Sequence, residues 1–464
     1  MSNISGLHTA ATGLKTAQTR MDTAAHNIAN VGTDGYTRQR VETAALSPQQ
    51  TVNGPVGRGV EVTDIVRLRD TFLDERVRTT SAGAEQATAH ADVLERAERV
   101  LGEPDDGLTE AMATLWDAFE DLANDPSEPA TREQVIGALE DVVRRFNTAD
   151  RDLAALSDDV TRQLREHVSE VNGLTEQIAE VNEQIDQTGA GRAYPDLADR
   201  RDHLVDQLSE LIGARVADTD DGSHRVTVGG LTLVEGSRVN DLEVDEDDGT
   251  IEHLASGQDV ETGGRLGGLQ AALGQDDEGY ASLAGLRGEL DELANEFAEQ
   301  LNEQHQQGYT TPEDPEESNG EPGDDLLTGE GAAGLAVAGE LEPSDIAAAE
   351  REEGSPQDGR NAQALADLRD EPFDDHDTTI DQQLRELVGG LASTVSGQRR
   401  NADNQASQAA VADEARRGEH GVSIDEEMVD LMAHQRAFEA ASRVTSTIDE
   451  ALDVLINRTG VVGR

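Results

Sequence analysis

Apolar residues recur at alternating three- and four-residue steps over most of this chain, the period of a helix that buries one face. Leu153, Leu156, Val160, Leu164, Val168, Val171, Leu174, Ile178, Val181 and Ile185 sustain the pattern longest and predict one helix over about 130–187. Shorter helices are predicted at about 81–101, 108–123, 197–213, 280–305 and 378–417, divided by Gly- and Pro-containing breaks such as Gly102-Glu103-Pro104 and Asp125-Pro126. The pattern changes at 214–262, where Arg225–Val228 and Leu231–Val234 flank Gly229-Gly230 and predict a hairpin in a small β subdomain. Residues 38–66 read as irregular or short extended structure, and the Gly-, Pro- and acid-rich stretch 308–360 as a loop.

The two ends carry thinner stripes. Ile4, Leu7, Ala11, Leu14, Gln18, Met21, Ala25 and Ile28 follow a heptad at the start. Ile424, Met428, Leu431, Gln435, Phe438, Ser442, Thr445, Ile448, Leu452 and Leu455 form a stripe over about 424–457 at the finish. A lone helix of either length is marginal in water, so each is expected to be completed by the other. The predicted fold is mainly α, in two parts. Residues 1–62 with 405–464 form a discontinuous terminal coiled-coil domain, and 63–404 form a long-helix bundle containing the small β subdomain.

Composition supports a helical core. Hydrophobic residues make up 36% of the 464, but aromatics only 2%, so the core must be built from Leu, Val, Ile and Ala. Ninety-six acids against 37 bases leave a net charge of −59, and Lys15 is the single lysine. Such a surface repels nucleic acid and anionic membranes, which are therefore not expected partners. It also suits a very salty environment, where self-repulsion is screened. There is no cysteine, which removes disulfides and thiolate chemistry. No basic-then-apolar leader opens the chain and no run approaches 18 apolar residues, so neither a cleaved signal peptide nor a membrane span is expected.

Candidate chemistry is thin. The eleven His show no HExxH, and Glu166-His167 and Glu419-His420 read as solvated neighbours. Asp218–Gly222 and Asp245–Gly249 look faintly like calcium loops but read better as turns between strands. Gly263-Gly264-Arg265-Leu266-Gly267-Gly268 lacks the Lys and the strand of a phosphate loop and reads as a lead-in to a helix. No cofactor, metal or catalytic group is indicated, and the chain is not expected to be an enzyme.

The ends are more specific than the chemistry. Ser5-Gly6-Leu7 through Asn27-Ile28-Ala29-Asn30, with Asp425–Leu431 and His434-Gln435-Arg436-Ala437-Phe438, resembles the opening and closing helices of the flagellar axial proteins, the family of rod, hook and hook-associated subunits. Gly35-Tyr36-Thr37-Arg38-Gln39, where rod and hook subunits usually have a Gly-Phe-Lys type sequence, is similar to the hook-associated branch. The run Asp196-Leu197-Ala198-Asp199-Arg200-Arg201-Asp202 points the same way. The resemblance implies a structural subunit at the hook–filament junction, outside the cell, exported by the flagellar type III route. It implies copies of itself, hook protein and hook-associated protein 3 as partners, with an export chaperone on the closing helix. Ile4, Leu7, Leu14, Met21, Ile28, Met428, Leu431, Phe438, Ile448, Leu452 and Leu455 would then form the assembly interface. Relatives often carry an outer β domain where this chain has its acidic stretch, which leaves any outer-domain role open. Two other readings also remain open: another axial subunit (hook, rod or hook-associated protein 3), and a secreted hydrolase with flagellar-like ends.

Overall fold

The computed structural model describes residues 2–51, 54–102, 107–187, 194–218, 224–245, 249–274, 279–310, 320–352, 356–372 and 378–454. Helix α1 (Ser2–Ala29) leads through a turn into strand β1 (Gln39–Ala45), the inner pair β2 (Gln49–Thr51) and β3 (Gly54–Val56), and strand β4 (Val60–Arg67). β1 and β4 pair antiparallel from Gln39 opposite Arg67 to Ala45 opposite Val60, with a bulge at Glu42/Thr43. The extended reading of 38–66 is thus one long hairpin, folded onto α1. Gly59 allows the approach: its φ is +109°, and a Cβ there would lie 2.1 Å from Thr12 Oγ1.

The hairpin changes which face of α1 is buried. Ala10, Ala17 and Ala24, seven apart, are buried, whereas Ala11, Gln18 and Ala25 of the predicted stripe are exposed. Small residues stand on both sides of the heptad line, so the apolar period alone could not choose between them. The packing of the hairpin and of the last helix on α1 made the choice, burying Thr16, Thr23 and Asn27 beside these alanines.

Helix α2 (Thr71–Leu101) is capped by Asp70, whose carboxylate accepts from the Phe72 and Leu73 N–H groups. Helix α3 (Leu108–Asn124) precedes α4 (Pro129–Gln187), whose 59 residues make it the spine of the bundle. At 1.5 Å per residue it is roughly 90 Å long. All ten residues of its predicted stripe are buried or half-buried. Helix α5 (Pro195–Ile212) closes on Gly213 in the left-handed region, φ +70°.

Strands β5 (Arg215–Asp218), β6 (His224–Val228), β7 (Leu231–Glu235) and β8 (Arg238–Val239) form one sheet in that order, and β9 (Leu242–Val244), β10 (Ile251–His253) and β11 (Gln258–Asp259) form a second. Gly229 and Gly230 both have positive φ, as the predicted two-residue hairpin turn demands. Asn172 of α4 pins the second sheet, accepting from Leu242 N at 3.0 Å and donating to its carbonyl at 2.9 Å. Gly264–Gly268, read as a helix lead-in, lies inside helix α6 (Gly264–Leu273). A Cβ at Gly268 would stand 2.2 Å from the Gln86 carbonyl, so these glycines let α6 cross α2 backbone to backbone.

Helix α7 (Leu283–Gln306) supplies Phe297, which stacks on Phe146 and meets Trp116 edge-on, with centroids 6.1 and 6.2 Å apart. Three of the chain's eleven aromatic residues thus meet at one point between α3, α4 and α7.

The acidic stretch departs from the loop reading. Its described part contains β12 (Leu327–Thr328), helix α8 (Gly331–Gly334) and β13 (Ala336–Val337), and buries Leu326, Ala332, Leu335, Ile346 and Ala348 against the bundle. Sparse apolar residues among many acids hide this from composition, and buried polar groups of the bundle do the anchoring. Arg132 donates to the carbonyls of Pro126 (2.9 Å), Pro343 (3.1 Å) and Ile346 (2.6 Å). His305 donates through Nδ1 to the Asp324 carbonyl at 2.6 Å and accepts the Ala347 N–H through Nε2 at 2.8 Å.

Burial holds His305 below its ordinary pKa, so it stays neutral with both nitrogens engaged. The unfolded chain takes up this proton first, so stability falls as pH drops below the ordinary value, about 6.5. We expect the melting temperature of the parent to decline between pH 7.5 and 5. His305→Gln should start lower and decline less; an unchanged slope would remove His305 from the acid response.

Three helices finish the chain. α9 (Arg360–Asp367) packs on α3, and α10 (Ile380–His420) starts at a Thr379/Gln382 capping box and runs along α2. α11 (Ile424–Asp453), capped by Ser423, lies along α1.

Candidate functional site: the terminal seam and its polar joint

α1 and α11 meet antiparallel at matched heptad positions. A Cβ on Gly6 would stand 3.3 Å from Ile448 Cδ1. Gly13 and Ala441 line one groove, Arg20 and His434 line a second cavity, and Asn27 bonds Glu427 at the far end. Each step is seven residues on both helices. Apart from Ile448, the layers along the seam are small or polar, and most of the larger apolar residues lie toward its flanks.

Those larger residues are the predicted interface. Leu7, Leu14, Met21 and Ile28 on α1, and Leu431, Phe438, Ile448 and Leu452 on α11, are each half-buried, while Met428 is exposed. The Ile4 side chain and Leu455 lie outside the described residues. Beside them Ile424, Val429, Met432 and Val444 of α11 are 45 to 60% exposed. Spread over one helix, these form a surface that a packed monomer core would not leave uncovered.

The signature residues build a joint at one end of the seam. Asn27 is 1% exposed and uses its full hydrogen-bonding capacity. Its amide donates to the Gln39 carbonyl (3.0 Å) and to Glu427 Oε2 (3.1 Å), and its oxygen accepts from the Tyr36 hydroxyl (2.7 Å) and the Gln39 N–H (3.0 Å). Glu427 is buried, and Arg38 compensates it, donating from Nε at 2.6 Å while reaching Glu426 at 3.0 Å. Burial works against the Arg38 cation, yet Glu427 and then Glu426 outweigh it and raise its pKa. Burial, followed by Asp196, Asp199 and Glu427, pushes the Tyr36 phenol well above its ordinary range, so its hydroxyl stays a donor.

Gly35 and Asn30 shape the approach to this joint. Gly35 sits at φ +75°, and a Cβ there would lie 2.9 Å from the Cβ of His203. Asn30 caps α1, its amide donating to the His26 carbonyl at 3.0 Å. Gln435 and Arg436, the remaining signature residues, are exposed on α11.

A second tier ties the joint to the bundle. Asp196, Asp199, Asp202 and Asp206 recur at three- and four-residue steps on one face of α5. Asp196 accepts from Gln39 Nε2 at 2.9 Å, and Asp199 from the Thr37 N–H (3.1 Å) and Arg67 (3.0 Å). Asp202 accepts from Arg67 (2.6 Å) and Arg69 (2.7 Å), and Asp206 from Arg78 and Arg416, both at 2.7 Å. Burial raises the pKa of Asp199 despite these donors. At Asp202 burial also pulls upward, but Arg69 and Arg67 outweigh it and hold the carboxyl down.

His420 corrects its reading as a solvated neighbour of Glu419. It is buried, and its Nε2 accepts the Asp70 N–H at 2.6 Å, which joins the end of α10 to the start of α2. Sequence reasoning also missed Glu427, Arg67, Arg69, Arg78 and Arg416. The available signal was scarce bases at 67, 69 and 78 against an acid on every third or fourth residue of 196–206. Nothing marks Glu427 among the other acids of its helix.

Of the calcium-like runs, 219–222 and 246–248 lie outside the described residues. Among the described residues no group of three or more His, Asp or Glu could hold a metal ion, and no helix is long and apolar enough to cross a membrane. The arrangement is that of a mechanical joint beside an uncovered helix pair.

Comparisons with known proteins agree with the two blocks at the ends and add the middle. Residues 94–327 match the family model described as the flagellar hook-associated protein FlgK helical domain. Residues 7–37 match a flagella basal body rod protein model, and 419–458 the C-terminal model of flagellar basal body rod FlgEFG proteins. Flagellar hook-associated protein 1 of Bacillus subtilis is 29% identical over 512 aligned residues, covering 100% of both chains. Its namesake in Escherichia coli is 29% identical over 69% of this chain and 59% of its own length. In Salmonella typhimurium the figures are 30%, 65% and 56%, so the match spans under two thirds of both enterobacterial proteins. The flagellar hook junction protein FlgK from Burkholderia pseudomallei shares the fold, with a TM-score of 0.63 over 75% of this chain and 100% of that one, at 16% identity. With more than half of its length matched by that helical-domain model, the chain belongs to the flagellar hook-associated protein family.

Proposed function

We propose that this chain is a structural subunit of the flagellum that joins hook to filament, assembles through its paired terminal helices and performs no catalysis. The observation that carries the reading is the seam itself: α1 and α11 are paired, yet Ile424, Met428, Val429, Met432 and Val444 are left exposed among the described residues. Copies packed side by side, with hook protein below and hook-associated protein 3 above, would cover that surface. Before assembly an export chaperone on α11 would do so, with export through the flagellar type III route to the cell exterior. The interface residues are those named on the two terminal stripes. A deletion strain should make hooks but release filament subunits into the medium, and the intact gene should restore filaments. Filaments that remain attached in the deletion strain would overturn the reading.

A further inference from the structure

The pairing of α1 with α11 has a problem that apolar repeats cannot solve. The seam advances seven residues per layer on both helices, through Gly6/Ile448, Gly13/Ala441, Arg20/His434 and Asn27/Glu427. A slip of one layer would set Arg20 opposite Glu427, an attractive pair. With Gly and Ala in two of the four layers, packing discriminates weakly.

We propose that Asn27, Glu427 and Arg38 form a latch that holds α1 and α11 in this one register. Resting on the assembly reading, it deepens it by naming what makes the assembling unit unique. Glu427 is the buried residue of α11, and it meets the one α1 side chain placed to donate to it. Asn27 has no hydrogen-bonding capacity left for another arrangement, since Tyr36 and Gln39 take its remaining groups. A one-layer slip would exchange Asn27 and Arg38 for Arg20 at the Glu427 carboxylate and would leave the buried Asn27 amide without its carboxylate acceptor, and a buried donor without a partner is disfavoured. Single buried Asn residues fix register in coiled coils in this way, at some expense in stability.

The chain lacks cysteine, so two introduced cysteines can be labelled cleanly. Ala11 and Arg443 are exposed at one level of the seam, and nitroxides there report the helix pairing in the full chain by pulsed dipolar spectroscopy. The parent should give one narrow distance. Asn27→Leu should keep its melting temperature within a few degrees, yet show a broadened distribution. A slipped component would be displaced along the axis by about 10 Å, seven residues at 1.5 Å. Glu427→Leu should do the same. If Asn27→Leu does not fold, Asn27→Ser, which is too short to span to Glu427, is read instead. A single parental distance in the folded variants would overturn the latch. Because this readout needs no flagellum, the latch can fail while the junction reading stands, and motility of the same variants tests that reading separately.

Discussion

Leu164→Asp is expected to unfold the bundle, while Leu14→Asp and Phe438→Asp are expected to leave the melt nearly unchanged and abolish filament attachment. Leu164 is fully buried midway along α4, and an aspartate there has no cation to pair with in an apolar stripe. An unpaired buried charge costs about 3–5 kcal/mol, and the lost apolar side chain adds to it. A domain of ordinary stability has about 5–15 kcal/mol in all. Leu14 and Phe438 are only half-buried, so in the free chain a carboxylate can turn to water. Once copies pack, the same group sits in a seam that must be dry. Thermal melts beside motility complementation read both halves. Swimming cells carrying Leu14→Asp and Phe438→Asp would show that these helices are not the assembly seam, and a cooperative parental melt for Leu164→Asp would refute the core assignment.

Salt should produce the second large effect. The net charge is −59, and many of the 37 bases are already committed, with Arg38, Arg67, Arg69, Arg78 and Arg416 all in the joint. The joint is partly buried and poorly screened, so its pairs persist at high ionic strength. Exposed acids along α4, α7 and α10 outnumber the arginines beside them, and the pairs they do make, such as Arg151–Asp152 and Arg162–Asp159, lie at the surface where they are worth little. At 0.01 M their repulsion reaches about 30 Å, across neighbouring helices, and at 1 M only about 3 Å. Each kcal/mol of relieved repulsion is worth roughly 2–4 °C in a domain of this class. We expect the melting temperature to rise by about 10 °C or more between 10 mM and 1 M KCl. Superimposable melts would remove the halophilic reading and leave the flagellar one untouched.

How far the fold was legible from sequence varied with the kind of interaction. The long helix of 130–187 was plain because ten apolar residues repeat without interruption and nothing else in the chain competes for that face. The Gly229-Gly230 hairpin was equally plain, since two consecutive positive φ angles demand glycine. The signature residues were also visible, as residues; what they do was not. Asn27 reads as a polar interruption at the end of a heptad, and only its neighbours from β1 and α11 turn it into a fully bonded buried group. The cap over 326–349 was hidden for a related reason. Its apolar content is low, and its anchors, Arg132 and His305, lie 214 and 42 residues before the groups they bond.

The sequence by itself thus determined the long helices, the pairing of the two ends and the family, because periodicity, turn chemistry and local signatures act between residues close in the chain; it started α2 ten residues late and did not show the short helices α6, α8 and α9. Tertiary structure decided which face of α1 is buried, that Glu427 and His420 are inside, and that four aspartates on α5 and five arginines from distant elements share one joint. Those outcomes depend on burial and charge compensation. A carboxylate or an imidazole looks the same in a sequence whether it faces water or an arginine, and only the packed chain says which.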